Sequence, residues 1–240
     1  MANILIVHDF HGVHERNNEY AATEITNHVL KENGYAAELT VEQCRVLYGR
    51  KWIDIIRVIT PGASSELHEK IAQECVAYSL SHPEVTERHI KPNPQSNNVI
   101  SAIRARPGYD QIILSNTQPE AMRWFLGLVG LNEFFEDDRI LAVDTGLVSS
   151  TKASVLSDYL ERNKGIKGVV IVDDMPEGIE VANTLVGKVR LATYLYRNPG
   201  FPEARKVQLH PSIRHYNIDN LVYILRELSD SEHDPAKKLF

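Results

Sequence analysis

The sequence predicts an α/β protein, with a parallel sheet as its core and an all-helical segment inserted after the first strand. Two observations predict the sheet. Short apolar runs recur, as in Ile4–Val7 and Gly168–Val172, and such runs are typical of strands buried on both faces. Segments with helical spacing alternate with these runs, which favours βαβ units. The insertion is predicted by helical patterns that fill residues 15–95 without a strand-like run.

The composition is that of an ordinary globular protein. Of 240 residues, 43% are hydrophobic and 24% are charged, which suffices for a sizeable core. The net charge of -6 disfavours a nucleic-acid partner, because phosphate binding requires a basic surface. No apolar run approaches the roughly 20 residues of a membrane span, and Asp9 ends the first run too early for a signal peptide. With only two cysteines, Cys44 and Cys75, we expect reduced thiols and a cytoplasmic location.

The inserted segment has clear helix boundaries. Apolar residues fall at helical spacing up to Asn33-Gly34, a pair that typically ends a helix. Thr40 and Gln43 have the spacing of a capping box, which predicts a helix start. The prolines at 83, 92 and 94 predict a looser stretch before the core resumes.

The second half of the chain continues the alternation of strands and helices. Apolar runs predict strands at 111–114, 140–143, 168–172 and 189–196. Helical spacing predicts helices after Thr117, from Thr151, through 179–185, and from Asn217 to Leu228.

Polar residues stand where three of these strands end. They are Asp9, Ser115-Asn116 and Asp173-Asp174, with Lys152 at a helix start between the last two. The carboxyl ends of neighbouring parallel strands meet at one edge of a sheet, where α/β folds bind ligands. Carboxylates from two strands suit Mg²⁺, and a hydroxyl, helix-start N–H groups and a lysine suit a phosphate. Asp9 is then a candidate carboxylate nucleophile, although by itself it could equally cap a turn.

Taken in order, these stretches resemble the four motifs of the haloacid dehalogenase-like (HAD) hydrolase superfamily, in the subgroup with a helical C1 cap. The motifs are Asp9-Phe10-His11-Gly12-Val13, Ser115-Asn116, Lys152, and Asp173-Asp174-Met175-Pro176-Glu177-Gly178. The resemblance covers essentially the whole chain. It implies a Rossmann-like core domain, residues 1–14 and 96–240, with an all-helical cap domain at 15–95.

The resemblance implies a Mg²⁺-dependent phosphatase that acts on a small phosphorylated metabolite through an aspartyl-phosphate on Asp9. His11 would offer its carbonyl oxygen to the metal, and Asp173 stands at a position where the family usually has glycine. The segment 47–52 resembles the family's cap loop, which selects substrate, although Arg50 and Lys51 could equally be a solvated helix start. The candidate residues are Asp9, His11 and Lys152 for catalysis, Ser115, Asn116, Gly49, Arg50 and Lys51 for substrate binding, and Asp9, His11, Asp173 and Asp174 for the metal.

Two departures from the family pattern bear on activity. His11 replaces an aspartate that, in the family's phosphatases, protonates the leaving group and then activates water. Gly178 replaces the downstream acid of the fourth motif, for which Glu177 or Asp173 could compensate. A separate metal cluster of His8, His11 and His14 is disfavoured, because alternation along a strand points His8 away from Asp9.

Three hypotheses follow from His11. Histidine gains and loses a proton near neutral pH, so His11 could be the acid and base. Alternatively, the enzyme could be restricted to substrates with good leaving groups, since general acid–base catalysis is typically worth about 10²–10⁴-fold. The chain could also have lost turnover and act as a binding or regulatory protein. Non-phosphate chemistry is a weaker option, since dehalogenases usually carry an aromatic residue at the position of His11 and a serine-asparagine fourth motif.

Overall fold

The structure is a computed structural model of the protein. It describes residues 3–143, 150–201 and 206–233. The chain divides into two compact units, Met1–His14 with Pro92–Phe240, and Glu15–Lys91. We refer to the first as the core unit and to the second as the helical unit. Among the described residues, no helix is both long and apolar enough to cross a membrane.

The strands are β1 Ile4–His8, β2 Glu15–Arg16, β3 Lys91–Pro92, β4 Tyr109–Ser115, β5 Ile140–Ala142, β6 Gly168–Asp173, β7 Arg190–Tyr196 and β8 Arg214–Ile218. Within the described residues, six of them form a sheet in the order β5-β4-β1-β6-β7-β8, and every pairing in it is parallel. The short strands β2 and β3 pair with each other. The predicted parallel α/β core is therefore confirmed.

The helices are α1 Asn18–Glu32, α2 Val41–Val46, α3 Trp52–Ile59, α4 Ser65–Ser81, α5 Pro83–His89, α6 Ser96–Arg104, α7 Pro119–Leu128, α8 Lys152–Arg162, α9 Pro176–Glu180 and α10 Val222–His233. Short 3₁₀ turns occupy Asn132–Phe134, Asp137–Arg139 and Val181–Leu185.

Burial on both faces explains why β1 and β6 form the centre of the sheet. All six residues of β6 are buried. Along β1, Leu5 and Val7 join the apolar cluster on one face, whereas Ile6 joins the cluster on the other. Because successive side chains point to opposite faces, a continuous apolar run is what a strand covered on both sides requires.

The helical unit has its own apolar core. Helices α1, α3 and α4 contribute Ile25, Ile56 and Ile71 to one cluster. The predicted capping box is present, since the Gln43 N–H donates to Thr40 Oγ1 at 3.1 Å and the Thr40 N–H donates to Gln43 Oε1 at 2.9 Å. Burial raises the pKa of Cys44 to about 11 and that of Cys75 to about 12, so both are protonated, free thiols at neutral pH.

The helical unit ends at Lys91, whereas the sequence predicts an end at residue 95. The difference arises because the residues after Lys91 form hydrogen bonds with the core unit. The Asn93 N–H donates to the His14 carbonyl oxygen at 2.9 Å. The Asn93 amide donates to the Val13 carbonyl oxygen at 2.7 Å, and Ser96 Oγ lies 2.8 Å from His14 Nδ1.

Three secondary-structure predictions were wrong in part. The stretch after Pro83 contains a helix, α5, which Pro83 opens at the one position where its missing N–H costs nothing. The helix predicted through 179–185 is α-helical only to Glu180 and continues as a 3₁₀ turn. Asn217 lies in β8, opposite Leu195 of β7, so the last helix begins only at Val222.

Candidate functional site

The register of the central strands brings the predicted motifs to one edge of the sheet. In β1, His8 is paired with Ile113 of β4 on one side and Val172 of β6 on the other. Asp9 follows directly, and its N–H donates to the Val172 carbonyl oxygen at 2.8 Å. Strands β4 and β6 end at Ser115 and Asp173, so the ends of all three strands lie side by side.

Lys152 joins two of these strand ends. It is the first residue of α8, whose start is fixed by a capping box between Thr151 and Ser154. The Lys152 ammonium donates to Asp9 Oδ1 at 2.8 Å and to Asp173 Oδ2 at 2.7 Å. The three side chains retain only 11%, 6% and 3% of their exposure. The ammonium is therefore a bridge between β1 and β6 that is nearly excluded from water.

Burial and charge oppose each other at this bridge. Burial disfavours the charged ammonium of Lys152, but the carboxylates of Asp173 and then Asp9 outweigh it and raise the pKa of Lys152. Burial also raises the pKa of Asp173, an effect that Lys152 opposes and Asp9 reinforces. Lys152 is accordingly a permanent cation at neutral pH. Burial, by contrast, disfavours the ionised form of Asp173.

The carboxylates of Asp9, Asp173 and Asp174 fit a divalent metal ion. One oxygen from each lies within 4.8 Å of the others, and all three residues are buried. Hard oxygen ligands of this kind are what Mg²⁺ and Ca²⁺ prefer. Three ionised carboxylates against one ammonium leave a local excess of negative charge, which a bound cation would offset. Residues that could hold such an ion are therefore present.

Two glycines leave the space that two of these carboxylates occupy. A Cβ on Gly12 would lie 2.0 Å from Asp174 Oδ2, and Gly12 also has a φ of +80°, which disfavours any other residue. A Cβ on Gly178 would lie 1.8 Å from Asp173 Oδ2. The sequence motifs contain both glycines, but sequence reasoning did not identify this role. A glycine inside the short helix α9 was the available signal, since glycine is unfavourable there.

The second motif places a hydroxyl pair at the end of β4. Ser115 is 1% exposed, and its Oγ lies 2.9 Å from Thr117 Oγ1. Asn116 stands between them in a bend before α7. Thr117, which the sequence analysis named only as the residue before a helix, is therefore a hydrogen-bond partner of the Ser115 hydroxyl.

His11 is held by aromatic neighbours. Its ring meets Phe10 edge to face with centroids 5.0 Å apart, and it meets Phe125 of α7 in the same way at 4.9 Å. Such edge-to-face pairs are typical of stable aromatic contacts. Helical spacing in the sequence does not reveal this contact between Phe125 and His11.

His8 and His14 are structural core residues. His8 Nε2 lies 3.3 Å from Gln111 Oε1, and the His8 and His14 rings are 4.9 Å apart. Burial lowers the pKa of His8 to about 4 and lowers that of His14 well below its usual value, with His8 adding to the effect. Among the described residues, these histidines and His11 do not form a group with metal-binding spacing.

Gly49, Arg50 and Lys51 belong to the helical unit. They lie between α2 and α3, where Gly49 has a φ of +76° and Lys51 is the residue before α3 begins. Their assignment to substrate binding stays a prediction.

The comparisons agree with the motif resemblance. The family model described as haloacid dehalogenase-like hydrolase matches residues 6–189. No curated protein sequence matches the chain.

Similar folds occur among solved structures. A haloacid dehalogenase-like family hydrolase from Streptococcus pneumoniae has a TM-score of 0.70 at 12% identity, over 93% of this chain and 97% of that one. A predicted phosphatase from Clostridium acetobutylicum has a TM-score of 0.73 at 12% identity, over 96% and 100%. A predicted phosphoglycolate phosphatase from Haemophilus somnus has a TM-score of 0.70 at 15% identity, over 92% and 96%. With a family model that matches most of its length, the chain belongs to the haloacid dehalogenase-like hydrolases.

Proposed function

We propose that the protein is a Mg²⁺-dependent phosphatase that cleaves a small phosphorylated metabolite through an aspartyl-phosphate on Asp9. The observation that carries the proposal is the Lys152 ammonium, 2.8 Å from Asp9 Oδ1 at the carboxyl end of the central strands. A cation held beside a buried carboxylate can bind a phosphoryl group and present it to that carboxylate. We place the protein in the cytoplasm, an assignment supported by its two free, buried thiols.

The reaction proceeds in two displacements on phosphorus. A carboxylate oxygen of Asp9 attacks, so that a new P–O bond to Asp9 forms while the bond to the leaving oxygen breaks. That oxygen takes a proton from His11 and departs as an alcohol. Water then gives a proton to His11 and attacks the aspartyl-phosphate, which releases inorganic phosphate and restores Asp9. Carboxylates of Asp9, Asp173 and Asp174, here called the acidic cluster, would hold Mg²⁺, which when bound would supply positive charge against the phosphoryl oxygens.

The other site residues position the phosphoryl group. Lys152 neutralises charge on its oxygens, because its ammonium remains protonated between two carboxylates. The Ser115 hydroxyl, oriented by Thr117 at 2.9 Å, donates to a phosphoryl oxygen. Asn116 at the same strand end assists in binding, and Gly49, Arg50 and Lys51 stay sequence-based candidates for further substrate contacts.

Turnover is tested with acetyl phosphate and p-nitrophenyl phosphate. We expect the wild type to release phosphate only when Mg²⁺ is present, and Asp9→Asn to fall to background. Asp158→Asn, an exposed aspartate of α8, is the matched control and should retain wild-type rates. If the wild type is as inactive as Asp9→Asn on both compounds, the chain is a binding or regulatory protein that has kept the fold.

The role of His11 is tested by varying the leaving group. A poor leaving group such as an alkoxide requires protonation, whereas p-nitrophenolate does not. His11→Ala should therefore lose about 10²–10⁴-fold in kcat on an alkyl phosphate and much less on p-nitrophenyl phosphate. His11→Asp, which supplies another acid, should recover the alkyl activity. Equal losses on both substrates would assign His11 a structural role among Phe10 and Phe125.

A further inference from the structure

The three carboxylates of the acidic cluster are not equivalent in their surroundings. Asp173 uses both oxygens within the protein, since Oδ2 accepts from Lys152 at 2.7 Å and Oδ1 accepts from the Met175 N–H at 2.9 Å. Its side chain is 3% exposed. Asp9 is bonded to Lys152 through Oδ1, and Asp174 lies instead against Gly12. Both carboxylate oxygens of Asp173 are thus occupied by donors of the protein itself.

Gly178 is the second observation that sets Asp173 apart. Gly178 is buried within α9, and its φ lies outside the left-handed region that requires glycine. A glycine inside a helix is unfavourable compared with alanine, so its backbone offers no reason for this residue. The space does, because a Cβ at position 178 would lie 1.8 Å from Oδ2 and 2.1 Å from Cγ of Asp173. The helix therefore leaves room for the observed carboxylate orientation, which reaches Lys152.

We propose that Asp173 is a positioning residue, which holds the Lys152 ammonium beside Asp9, and that the metal is bound by Asp9 and Asp174 without Asp173. This revises the sequence-based assignment of Asp173 to the metal. A part for this contact in turnover rests on the proposed phosphatase function. The contact itself, and the division of the three carboxylates into two metal ligands and one lysine partner, do not.

Two measurements that do not depend on turnover test the proposal on the full chain. Isothermal titration calorimetry gives the affinity for Mg²⁺. Acetic anhydride labelling at pH 8, mapped by mass spectrometry, reports how firmly the Lys152 amine is held, because a side chain held between two buried carboxylates is shielded from the reagent. Lys164, an exposed lysine, serves as the internal reference in each digest.

Asp173→Asn should bind Mg²⁺ within about threefold of the wild type and should increase the labelling of Lys152 relative to Lys164 at least tenfold. Asp174→Asn should weaken Mg²⁺ binding at least tenfold and leave Lys152 protected. Equal loss of Mg²⁺ affinity in the two variants would overturn the proposal. So would unchanged labelling of Lys152 in Asp173→Asn, or a wild type that does not bind Mg²⁺.

The glycine provides a matched pair of variants. Gly178→Ala should displace the Asp173 carboxylate and reproduce the Asp173→Asn result, whereas Gly127→Ala, a helix glycine with open space around its Cβ, should change neither measurement. The double variant Asp173→Gly/Gly178→Asp moves the carboxylate from position 173 to position 178. It should restore the protection of Lys152 that each single variant loses. A double variant no better than the singles would contradict the positional argument. If these results hold while no phosphate ester is cleaved, the proposed function fails and the role of Asp173 stands.

Discussion

Removal of the Lys152 ammonium should destabilise the metal-free protein strongly. At an effective dielectric constant of about 20, its contacts at 2.8 and 2.7 Å are each worth about 6 kcal/mol of gross attraction. Desolvation offsets much of this, and the loss of one partner from a buried ion pair typically costs about 3–5 kcal/mol. Lys152→Met keeps most of the volume and leaves two carboxylates without their counter-ion. We therefore expect Lys152→Met to lose about 3–5 kcal/mol in the free energy of unfolding. This corresponds to a decrease in Tm of about 6–20 °C for a chain of this size.

The assay is urea unfolding followed by circular dichroism, in EDTA, from pH 4 to pH 8. In Lys152→Met, burial still raises the pKa of Asp173 and the opposing ammonium is gone. The folded-state pKa of Asp173 then lies above its unfolded value near 4. The loss of unfolding free energy in Lys152→Met, relative to the wild type, is therefore small at pH 4 and grows as the pH rises. We call this loss the deficit. Added Mg²⁺ should reduce the deficit by restoring positive charge. A deficit below about 1 kcal/mol at pH 7, or one independent of pH, would refute the argument.

Three further predictions test other parts of the structure. Gly12→Ala should lose about 1–2 kcal/mol from its left-handed backbone and should weaken Mg²⁺ binding in calorimetry, because its Cβ would meet Asp174 at 2.0 Å; unchanged affinity would contradict this. Burial lowers the pKa of His8 from 6.5 to about 4. As the pH falls, His8 therefore binds its proton at a higher pH in the unfolded chain than in the folded chain. Stability should therefore decline by about 3 kcal/mol from pH 6.5 to pH 4 through His8 alone, and His8→Leu should remove that part of the decline in urea titrations. Thr151→Ala should cost about 1 kcal/mol by loss of the α8 cap, measured by urea unfolding, whereas Thr151→Ser should not.

The fold was predictable where burial is uniform along an element. The strands β1 and β6 are apolar throughout because they are covered on both faces, and the cap at Thr40 is a local hydrogen-bond pattern that a spacing rule detects. By contrast, β8 carries charged and polar residues and has a partly exposed pattern. Its strand conformation depends on pairing with β7, a tertiary contact that periodicity within the segment does not reveal.

The candidate site, like the fold, could be predicted from the sequence only in part. Position at the end of a strand, which sequence shows, was sufficient to bring Asp9, Ser115 and Asp173 to one edge of the sheet. Contacts of individual side chains were not predictable, because they depend on three-dimensional packing. The clearest example is Gly178, which appeared in sequence as a missing acid and in the structure provides the space that the Asp173 carboxylate fills.

If Asp9 accepts the phosphoryl group, an aspartyl-phosphate can be trapped at that residue. The full chain is mixed with acetyl phosphate and Mg²⁺, quenched in acid within milliseconds, digested and mapped by mass spectrometry. We expect one phosphoryl group on the peptide that contains Asp9, absent without Mg²⁺ and absent in Asp9→Asn. Phosphate release by the wild type with no phosphorylated Asp9, or with the phosphoryl group on another residue, would contradict it.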